Sequence, residues 1–213
     1  CPYNVHVPKY IKNGIERSTV VLSLGMGSGK TFSFAEFLRP SLDRELKALI
    51  ISARISYTND VVSDLQRYGI PFVSYQAYRD ISELRQQNRV VCQVDSIHKL
   101  DPKQIWDVVF LDEIQTFTSH FASPQLKNVS NVAQKCERVI KTCKRLVVAD
   151  ADYNNYSDRS SKFIRSMRPG PIYELSSEVA SDECEYIPVK GNEVLILLEN
   201  LLEQGKKVMV AAN

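Results

Sequence analysis

A glycine-rich segment that ends in Lys-Thr restricts the fold of this chain more than any other feature. It follows an apolar, β-type run at 19–24 and precedes a helix-forming segment at 32–38. Glycines allow consecutive backbone N–H groups to turn inward around phosphate oxygens, and the helix that follows points its positive end at the same anion. The order of strand, glycine-rich turn, Lys-Thr and helix therefore predicts a phosphate-binding loop. The residues of this loop are Gly25, Met26, Gly27, Ser28, Gly29, Lys30 and Thr31.

Two side chains of the loop have predicted roles with a nucleoside triphosphate. Lys30 would neutralise the β- and γ-phosphates of ATP, and the Thr31 hydroxyl would bind Mg²⁺. The general pattern G-x-x-x-x-G-K-[ST] has glycine where this chain has Leu24. The alternative is a glycine-rich turn that binds no ligand. It is the weaker interpretation, because G-x-G-K-T directly after a β-run is a specific signal.

Charge and hydropathy exclude several classes of protein. The chain has 27 basic and 25 acidic side chains, so its net charge of +2 gives no global field that would indicate a nucleic-acid partner. Any such contact must come from local groups. No stretch is apolar over the ~18 residues that a membrane-spanning helix needs, and the N-terminus lacks the pattern of a signal peptide. We therefore predict no membrane partner.

The five cysteines show no metal-binding pattern. None forms a C-x-x-C pair, and the three histidines are scattered. Cys136 and Cys143 are seven residues apart on a predicted helix, which favours buried free thiols on one face. An odd number of unpatterned cysteines favours a reducing, intracellular compartment.

Apolar strands alternate with helices along most of the chain. This alternation predicts an α/β fold in which helices cover both faces of a parallel sheet. Thr58 or Asn59 would cap the helix at 59–68, and the Gly-Ile-Pro segment at 69–71 would end it. The predicted strands are 19–24, 47–52, 71–75, 89–94, 106–112, 145–150 and 171–176. The predicted helices are 30–38, 59–68, a short turn near 96–100, 129–143 and 156–167.

The composition changes after the last of these strands. Residues 177–185 are acidic and polar, which is typical of a connector. A helix with a leucine stripe is predicted at 192–204, and a new strand follows at 206–212. A helix and a strand do not make a complete domain, so we expect the chain to be a fragment. The expected organisation is a nucleotide-binding domain over 1–180, followed over 181–213 by the connector and the start of a second domain.

A second group of candidate catalytic residues follows the apolar strand at 106–112. In a doubly wound sheet, ligands bind beyond the carboxyl ends of the strands, so Asp112 and Glu113 would lie at the edge that carries the phosphate loop. Asp112 would hold Mg²⁺, and Glu113 would polarise the water that attacks the γ-phosphate. An Asp-Glu pair after an apolar run can also cap a helix. Together with Lys30 and Thr31, the pair favours an ATPase that activates water over a small-molecule kinase.

A third acidic segment follows the strand at 145–150. Asp150 and Asp152 either form an Asx turn or sense the state of the nucleotide at the same edge of the sheet. The residue pattern alone does not favour one of these interpretations over the other.

Two further segments combine an apolar strand with a polar turn: LIISARISYT at 49–58 and VCQVDSIHKL at 91–100. Together with the phosphate loop, the L-D-E-I box at 111–114 and A-D-A-D at 149–152, they resemble the first RecA-like lobe of superfamily 2 helicases. More narrowly, they resemble the herpesvirus-type replication origin-binding proteins and their relatives in other large DNA viruses. In this superfamily the phosphate loop has the pattern A-x-x-G-x-G-K-T, which does not require a glycine at position 24. Its counterpart of 49–58 contains S-x-R-x-S-[FY]-T.

The resemblance implies that the two polar turns contact a single-stranded nucleic-acid backbone. Arginine neutralises phosphate, and hydroxyl groups bind its oxygens. The alternative is that these side chains only cap helix starts, which the residues alone favour but the resemblance outweighs. The resemblance also implies that Asp150 and Asp152 couple nucleotide state to strand separation, with Asp152 in place of the threonine of a D-A-T motif. The candidate nucleic-acid residues are Ser52, Arg54, Ser56, Thr58, Ser96 and His98.

From the resemblance we expect the ATP-binding lobe of a DNA helicase involved in viral DNA replication, in the host nucleus or at a cytoplasmic replication site. The expected partners are single-stranded DNA, a second RecA-like lobe that supplies arginines to the ATP site, and other replication proteins. The fragment alone is therefore expected to hydrolyse little or no ATP. Two other functions stay open: a non-motor P-loop scaffold or loader, and a DNA-packaging ATPase with a downstream nuclease domain.

Overall fold

The structure, a computed structural model of the 213-residue chain, describes residues 19–24, 29–41, 45–124, 126–151, 157–170, 172–176, 200, 203 and 204. The chain divides into two compact units, residues 1–178 and residues 179–213, and every element named below belongs to the first. That the second unit begins another RecA-like lobe stays a prediction. Several predicted features lie outside the described residues: loop residues 25–28, Asp152, the connector, the strand at 206–212 and most of the helix at 192–204.

Seven strands within the described residues form one sheet, and each strand pairing in it is parallel. They are β1 (Thr19–Ser23), β2 (Ala48–Ser52), β3 (Val73–Ser74), β4 (Arg89–Gln93), β5 (Val108–Asp112), β6 (Arg145–Asp150) and β7 (Ile172–Ser176). Their order across the sheet is β3-β4-β2-β5-β6-β1-β7. The predicted α/β class with a parallel sheet is confirmed, and each of the seven strands predicted between residues 19 and 176 is present.

Helices pack on both faces of this sheet. Phe34 and Leu65 pack with Phe110 on one face, whereas Phe117 packs with Leu111 on the other. Successive side chains of a strand point to opposite faces, so strands covered on both sides read as continuous apolar runs. The helices are α1 (Lys30–Leu38), α2 (Ile55–Arg67), α3 (Ile81–Arg85), α4 (Ile114–His120), α5 (Val129–Thr142) and α6 (Ser157–Met167). Short 3-10 turns cover Arg39–Ser41, Tyr75–Ala77 and Val94–Lys99. None of the described helices is long and apolar enough to cross a membrane.

Helix α2 begins earlier in the chain than the sequence pattern predicts. Arg54 stands at its N-cap with an extended backbone, so the prediction of Thr58 or Asn59 as the cap is wrong. Thr58 lies in the first turns of the helix, and its hydroxyl donates to the Arg54 carbonyl oxygen at 3.2 Å, as threonine often does inside helices. The predicted end of the helix is confirmed, because Gly69 adopts the left-handed conformation (φ 75°) that closes it.

The carboxyl ends of neighbouring strands bring the polar segments to one edge of the sheet, called here the carboxyl edge. The register pairs Ser23 of β1 with Asp150 of β6, and Asp112 of β5 with the residue before Asp150. It also pairs Ser52 of β2 with Gln93 of β4. Parallel strands end in the same direction, so segments that are distant in sequence become neighbours there.

Candidate functional site

Of the phosphate loop, the structure describes Gly29, Lys30 and Thr31, which lie at the start of α1. Gly29 adopts a left-handed conformation (φ 81°) directly before Lys30, where a side chain would be strained. Its carbonyl oxygen accepts the N–H of Ser33 at 2.8 Å, which closes the first turn of α1. The Lys30 ammonium reaches back to the strand and donates to the Leu24 carbonyl oxygen at 2.9 Å. Lys30 therefore links the start of α1 to the residue that follows β1.

Asp112 ends β5 at the centre of the carboxyl edge. One of its carboxylate oxygens accepts the backbone N–H of Glu113 at 3.1 Å. Burial raises the pKa of the Asp112 carboxyl, and the nearby Tyr57 hydroxyl and Lys30 ammonium partly offset that rise. The structure thus brings together Lys30 and Asp112, which the sequence pattern assigned to one site.

The Tyr57 side chain directs its hydroxyl toward Asp112 and Thr31 from the first turn of α2. The hydroxyl oxygen is buried, yet it has no hydrogen bond of ordinary geometry within the described residues. Burial, followed by the charge of Asp112, raises the pKa of the Tyr57 hydroxyl far above its usual range. Sequence reasoning named Ser56 and Thr58 but missed Tyr57; the aromatic position of S-x-R-x-S-[FY]-T was the available signal.

These groups fit a magnesium–nucleotide complex. Mg²⁺ usually takes one or two protein oxygens and completes its shell with water and phosphate, and Thr31 and Asp112 offer one hydroxyl and one carboxylate. Among the described residues, no group of three or more His, Cys, Asp and Glu side chains is placed so that it could hold a metal ion. The buried Tyr57 hydroxyl without a partner is a further sign that a polar ligand belongs at this place.

Glu113 begins α4 in a left-handed conformation (φ 50°), which is uncommon for a residue other than glycine. Its Oε2 atom accepts the Thr116 hydroxyl at 3.1 Å. The same atom lies 3.5 Å from Nη2 of Arg54, and both side chains of this ion pair are partly exposed. The candidate catalytic carboxylate therefore contacts a candidate nucleic-acid residue directly.

Asp150 connects three segments at the carboxyl edge. Its Oδ2 accepts the backbone N–H of Gln115 in the first turn of α4 at 3.0 Å. Its carbonyl oxygen accepts the N–H of Leu24 at 3.2 Å. The carboxylate is thus hydrogen-bonded to the helix that follows Glu113, and the Asx-turn interpretation stays open because residues 152–156 lie outside the described residues. Whether Asp150 couples nucleotide state to strand separation stays a prediction.

Two of the predicted nucleic-acid residues have buried side chains in this conformation, and their contact with DNA stays a prediction. Ser52 and Thr58 are buried. The Ser52 hydroxyl accepts the Arg54 N–H at 3.1 Å and donates to its carbonyl oxygen at 3.2 Å, while Thr58 donates to that same carbonyl. Both hydroxyls therefore stabilise the start of α2 and are not accessible to a nucleic-acid strand. The Ser56 side chain lies outside the described part of the structure.

The remaining nucleic-acid candidates lie at the surface. The Arg54 side chain is 61% exposed. Ser96 is partly buried in the 3-10 turn after β4, and His98 is exposed there with Nδ1 2.9 Å from the Asp95 carbonyl oxygen. Sequence reasoning missed Gln93, which links the two turns: its amide nitrogen donates to the Ala53 carbonyl oxygen at 3.4 Å. Gln93 stands within the segment 91–100 that carries the resemblance, which was the available signal.

Comparison with solved structures identifies the class of fold as the RecA-like lobe of helicases. The DUF1998 helicase MrfA bound to DNA and AMPPNP matches 92% of this chain and 31% of its own, with 18% identity and a TM-score of 0.58. The UvsW helicase from bacteriophage T4 matches 82% of this chain and 60% of its own, with 16% identity and a TM-score of 0.56. These similarities establish the architecture.

The chain belongs to the family of origin of replication binding proteins, whose family model matches residues 3–170. The replication origin-binding protein of human herpesvirus 2 is 28% identical over 190 residues, which cover 84% of this chain and 22% of that protein. The protein of gallid herpesvirus 2 is 30% identical over 198 residues, covering 88% and 23%. The chain thus spans about a fifth of the length of these relatives. The resemblance seen in the sequence is confirmed.

Proposed function

We propose that this chain is the ATP-binding motor lobe of a DNA helicase that acts in the replication of a viral genome. The observation that supports this most is the meeting of Lys30 and Asp112 at the carboxyl edge, close enough for the ammonium to oppose the rise of the carboxyl pKa. A loop lysine and a carboxylate from a neighbouring strand lie on the two sides of a triphosphate and its cation in such enzymes. Membership of the origin-binding family supports replication as the process.

Each residue of the site has a role that its chemistry supports. Lys30 exchanges the Leu24 carbonyl for the β- and γ-phosphate oxygens, because an ammonium donor bonds more strongly to an anion. The Thr31 hydroxyl and the Asp112 carboxylate hold the cation. When bound, Mg²⁺ neutralises charge that develops on the phosphate oxygens. Glu113 orients the attacking water and accepts its proton.

Single-stranded DNA is the proposed second ligand of this lobe. The exposed Arg54 guanidinium stands at the N-terminus of α2, where the positive end of the helix adds to its attraction for phosphate. His98 is exposed in the turn that follows β4, the strand paired with β2. A backbone that crosses both turns would pass close to Glu113, since Arg54 contacts that carboxylate.

We also propose the partners and compartment that such a lobe requires. A second RecA-like lobe would supply arginine side chains to the ATP site, and other replication proteins would bind the whole protein. Replication in a reducing compartment fits the cysteines of the described segments, Cys92, Cys136 and Cys143, which are free and buried.

The test is ATP hydrolysis by the full-length natural protein, measured with and without single-stranded DNA. DNA should stimulate hydrolysis, Lys30→Ala should weaken nucleotide binding, and Glu113→Gln should retain binding but lose turnover by a factor on the order of 10² or more. Absence of stimulation by any nucleic acid would overturn the motor proposal. Nucleotide binding without stimulation or strand separation would instead support the scaffold or loader, which Asp152 in place of threonine also favours.

A further inference from the structure

The Tyr57 side chain places a polar hydroxyl at the end of a ring that packs in the apolar core. The ring packs against the core cluster on the α1–α2 face of the sheet, which includes Phe34 and Val61. The hydroxyl at its end is buried and makes no hydrogen bond within the described residues. Phenylalanine would fill almost the same volume without a buried polar atom, and buried polar atoms in native proteins nearly always have a partner. The hydroxyl therefore points to a hydrogen bond that forms when a ligand is bound.

The surroundings of the hydroxyl identify the kind of ligand. It faces Asp112 at the end of β5 and Thr31 at the start of α1, the two candidate oxygen ligands of the cation. A tyrosine hydroxyl is a hydrogen-bond donor, and an ionised carboxylate accepts only. In other metal sites, groups that hydrogen-bond to a ligating carboxylate fix its orientation and strengthen metal binding.

We infer that Tyr57 is a positioning residue, whose hydroxyl donates to Asp112 and orients the carboxylate for the divalent cation of the nucleotide site. The inference rests on the proposed function. The ring is fixed in the core near the N-terminus of α2, and the Asp112 carboxylate lies beside its hydroxyl. An ionised carboxylate has about four acceptor sites, so the Tyr57 hydroxyl, the Glu113 N–H and the cation can share Asp112.

Loss of the hydroxyl should have opposite effects on the ligand-free and the ligand-bound protein. Without ligand, Tyr57→Phe removes a buried atom that lacks a partner, so the protein should melt at the same or a higher temperature. With ligand, it removes a hydrogen bond to Asp112, so the affinity for the cation should fall. A purely structural tyrosine would not give this pair of results.

The experiment is equilibrium binding of a fluorescent, non-hydrolysable ATP analogue to the full-length protein, in EDTA and over a series of Mg²⁺ concentrations. Mg²⁺ should increase the affinity for the analogue. Tyr57→Phe should raise the Mg²⁺ concentration that gives half of this increase on the order of ten-fold. Binding in EDTA should change little. Tyr68→Phe is the matched control, because it removes a tyrosine hydroxyl just past the other end of α2, where its ring packs edge-on against Phe32. It should leave the Mg²⁺ dependence unchanged.

The outcomes separate this inference from the proposed function. A wild type that responds to Mg²⁺ and a Tyr57→Phe variant with the same response would overturn the inference alone. Equal weakening with and without Mg²⁺, or a lower melting temperature without ligand, would also overturn it, because the hydroxyl would then serve the fold. If the nucleotide affinity of the wild type does not depend on the Mg²⁺ concentration, the proposed function and this inference are both overturned.

Discussion

Nη2 of Arg54 lies 3.5 Å from Oε2 of Glu113, which joins the start of α2 to the start of α4. One residue is a candidate for binding DNA phosphate, and the other for orienting the water that attacks ATP. Their side chains are 61% and 47% exposed, so solvent screens the pair and its contribution to stability is small. A DNA phosphate can therefore replace the carboxylate as the partner of Arg54 at little cost.

Replacing Arg54 by alanine should weaken binding of single-stranded DNA and reduce its stimulation of ATP hydrolysis. One phosphate contact is lost, so the slope of log K against log salt concentration should fall by about 0.7. Hydrolysis without DNA should persist, because Glu113 remains. Fluorescence anisotropy of a labelled oligonucleotide over a salt series measures the slope.

Arg67→Ala is the matched control, since Arg67 lies at the other end of α2 in an exposed ion pair with Asp64. It should change neither the salt slope nor the stimulation. If Arg54→Ala behaves like this control, Arg54 does not contact DNA.

Asp150 should matter for both stability and turnover, because its carboxylate accepts the Gln115 N–H in the first turn of α4. Asp150→Ala should lower the free energy of unfolding by about 1 to 2 kcal/mol, the usual cost of losing such an acceptor at a helix start. It should also reduce ATP turnover more than ATP affinity, since α4 begins directly after Glu113. Urea unfolding and steady-state kinetics measure the two effects.

Asp150→Asn retains an acceptor oxygen and should recover most of the stability. Asp64→Ala, at an exposed aspartate of α2, should change stability by less than about 0.5 kcal/mol. Equal losses in the alanine and asparagine variants would show that the charge of Asp150, rather than its hydrogen bond, supports α4.

The strands were predictable because each carries its signal locally. β5 and β6 are covered on both faces, so nearly every residue between Val108 and Leu111 or between Leu146 and Ala149 is apolar. The short helices α3 and α4 gave no such signal, because five and seven residues are too few for a helical period to emerge. The first turn of α4 is hydrogen-bonded to Asp150, which lies at the end of β6 and is distant in sequence.

The candidate site likewise combines residues that belong to local sequence patterns with residues whose roles depend on distant segments. Lys30, Thr31, Asp112 and Glu113 were named because glycine spacing and acidic strand ends are local patterns. Tyr57 was missed because its role depends on the end of β5. Thr58 was misassigned as a cap, since threonine caps helices and also bonds to carbonyls inside them, and the sequence does not distinguish the two.

Arg168 should be one of the residues most sensitive to truncation, although no motif contains it. It is 5% exposed, and its guanidinium donates to the carbonyl oxygens of Ile140 (2.9 Å), Cys143 (2.7 Å) and Lys144 (3.3 Å) at the end of α5. Ile140 and Cys143 lie at the end of α5, where a helix leaves its last carbonyls without partners. Arg168→Ala should therefore lower the free energy of unfolding by about 2 to 4 kcal/mol, measured by urea denaturation.

Arg165→Ala provides the comparison for this loss. Arg165 is exposed on α6 and donates to the Ser161 hydroxyl at 3.2 Å, so its removal should cost less than about 0.5 kcal/mol. Similar costs for the two variants would mean that solvent satisfies the end of α5 when Arg168 is lost.

The buried thiols should make the folded protein less stable in alkali. Burial raises the pKa of Cys136 from 9.0 to about 12 and that of Cys143 to about 11. Because unfolded thiols ionise near pH 9, the stabilising contribution is complete below that pH and is lost as the pH rises toward the folded values. The free energy of unfolding, measured by urea denaturation over this pH range, should fall more steeply in the wild type than in Cys136→Ala, by at most ~1.4 kcal/mol per pH unit for one thiol. The comparison uses slopes, so the cavity that alanine leaves does not affect it. Parallel slopes, or modification of Cys136 in the folded protein at neutral pH as fast as a free thiol, would show that this sulfur is accessible to solvent.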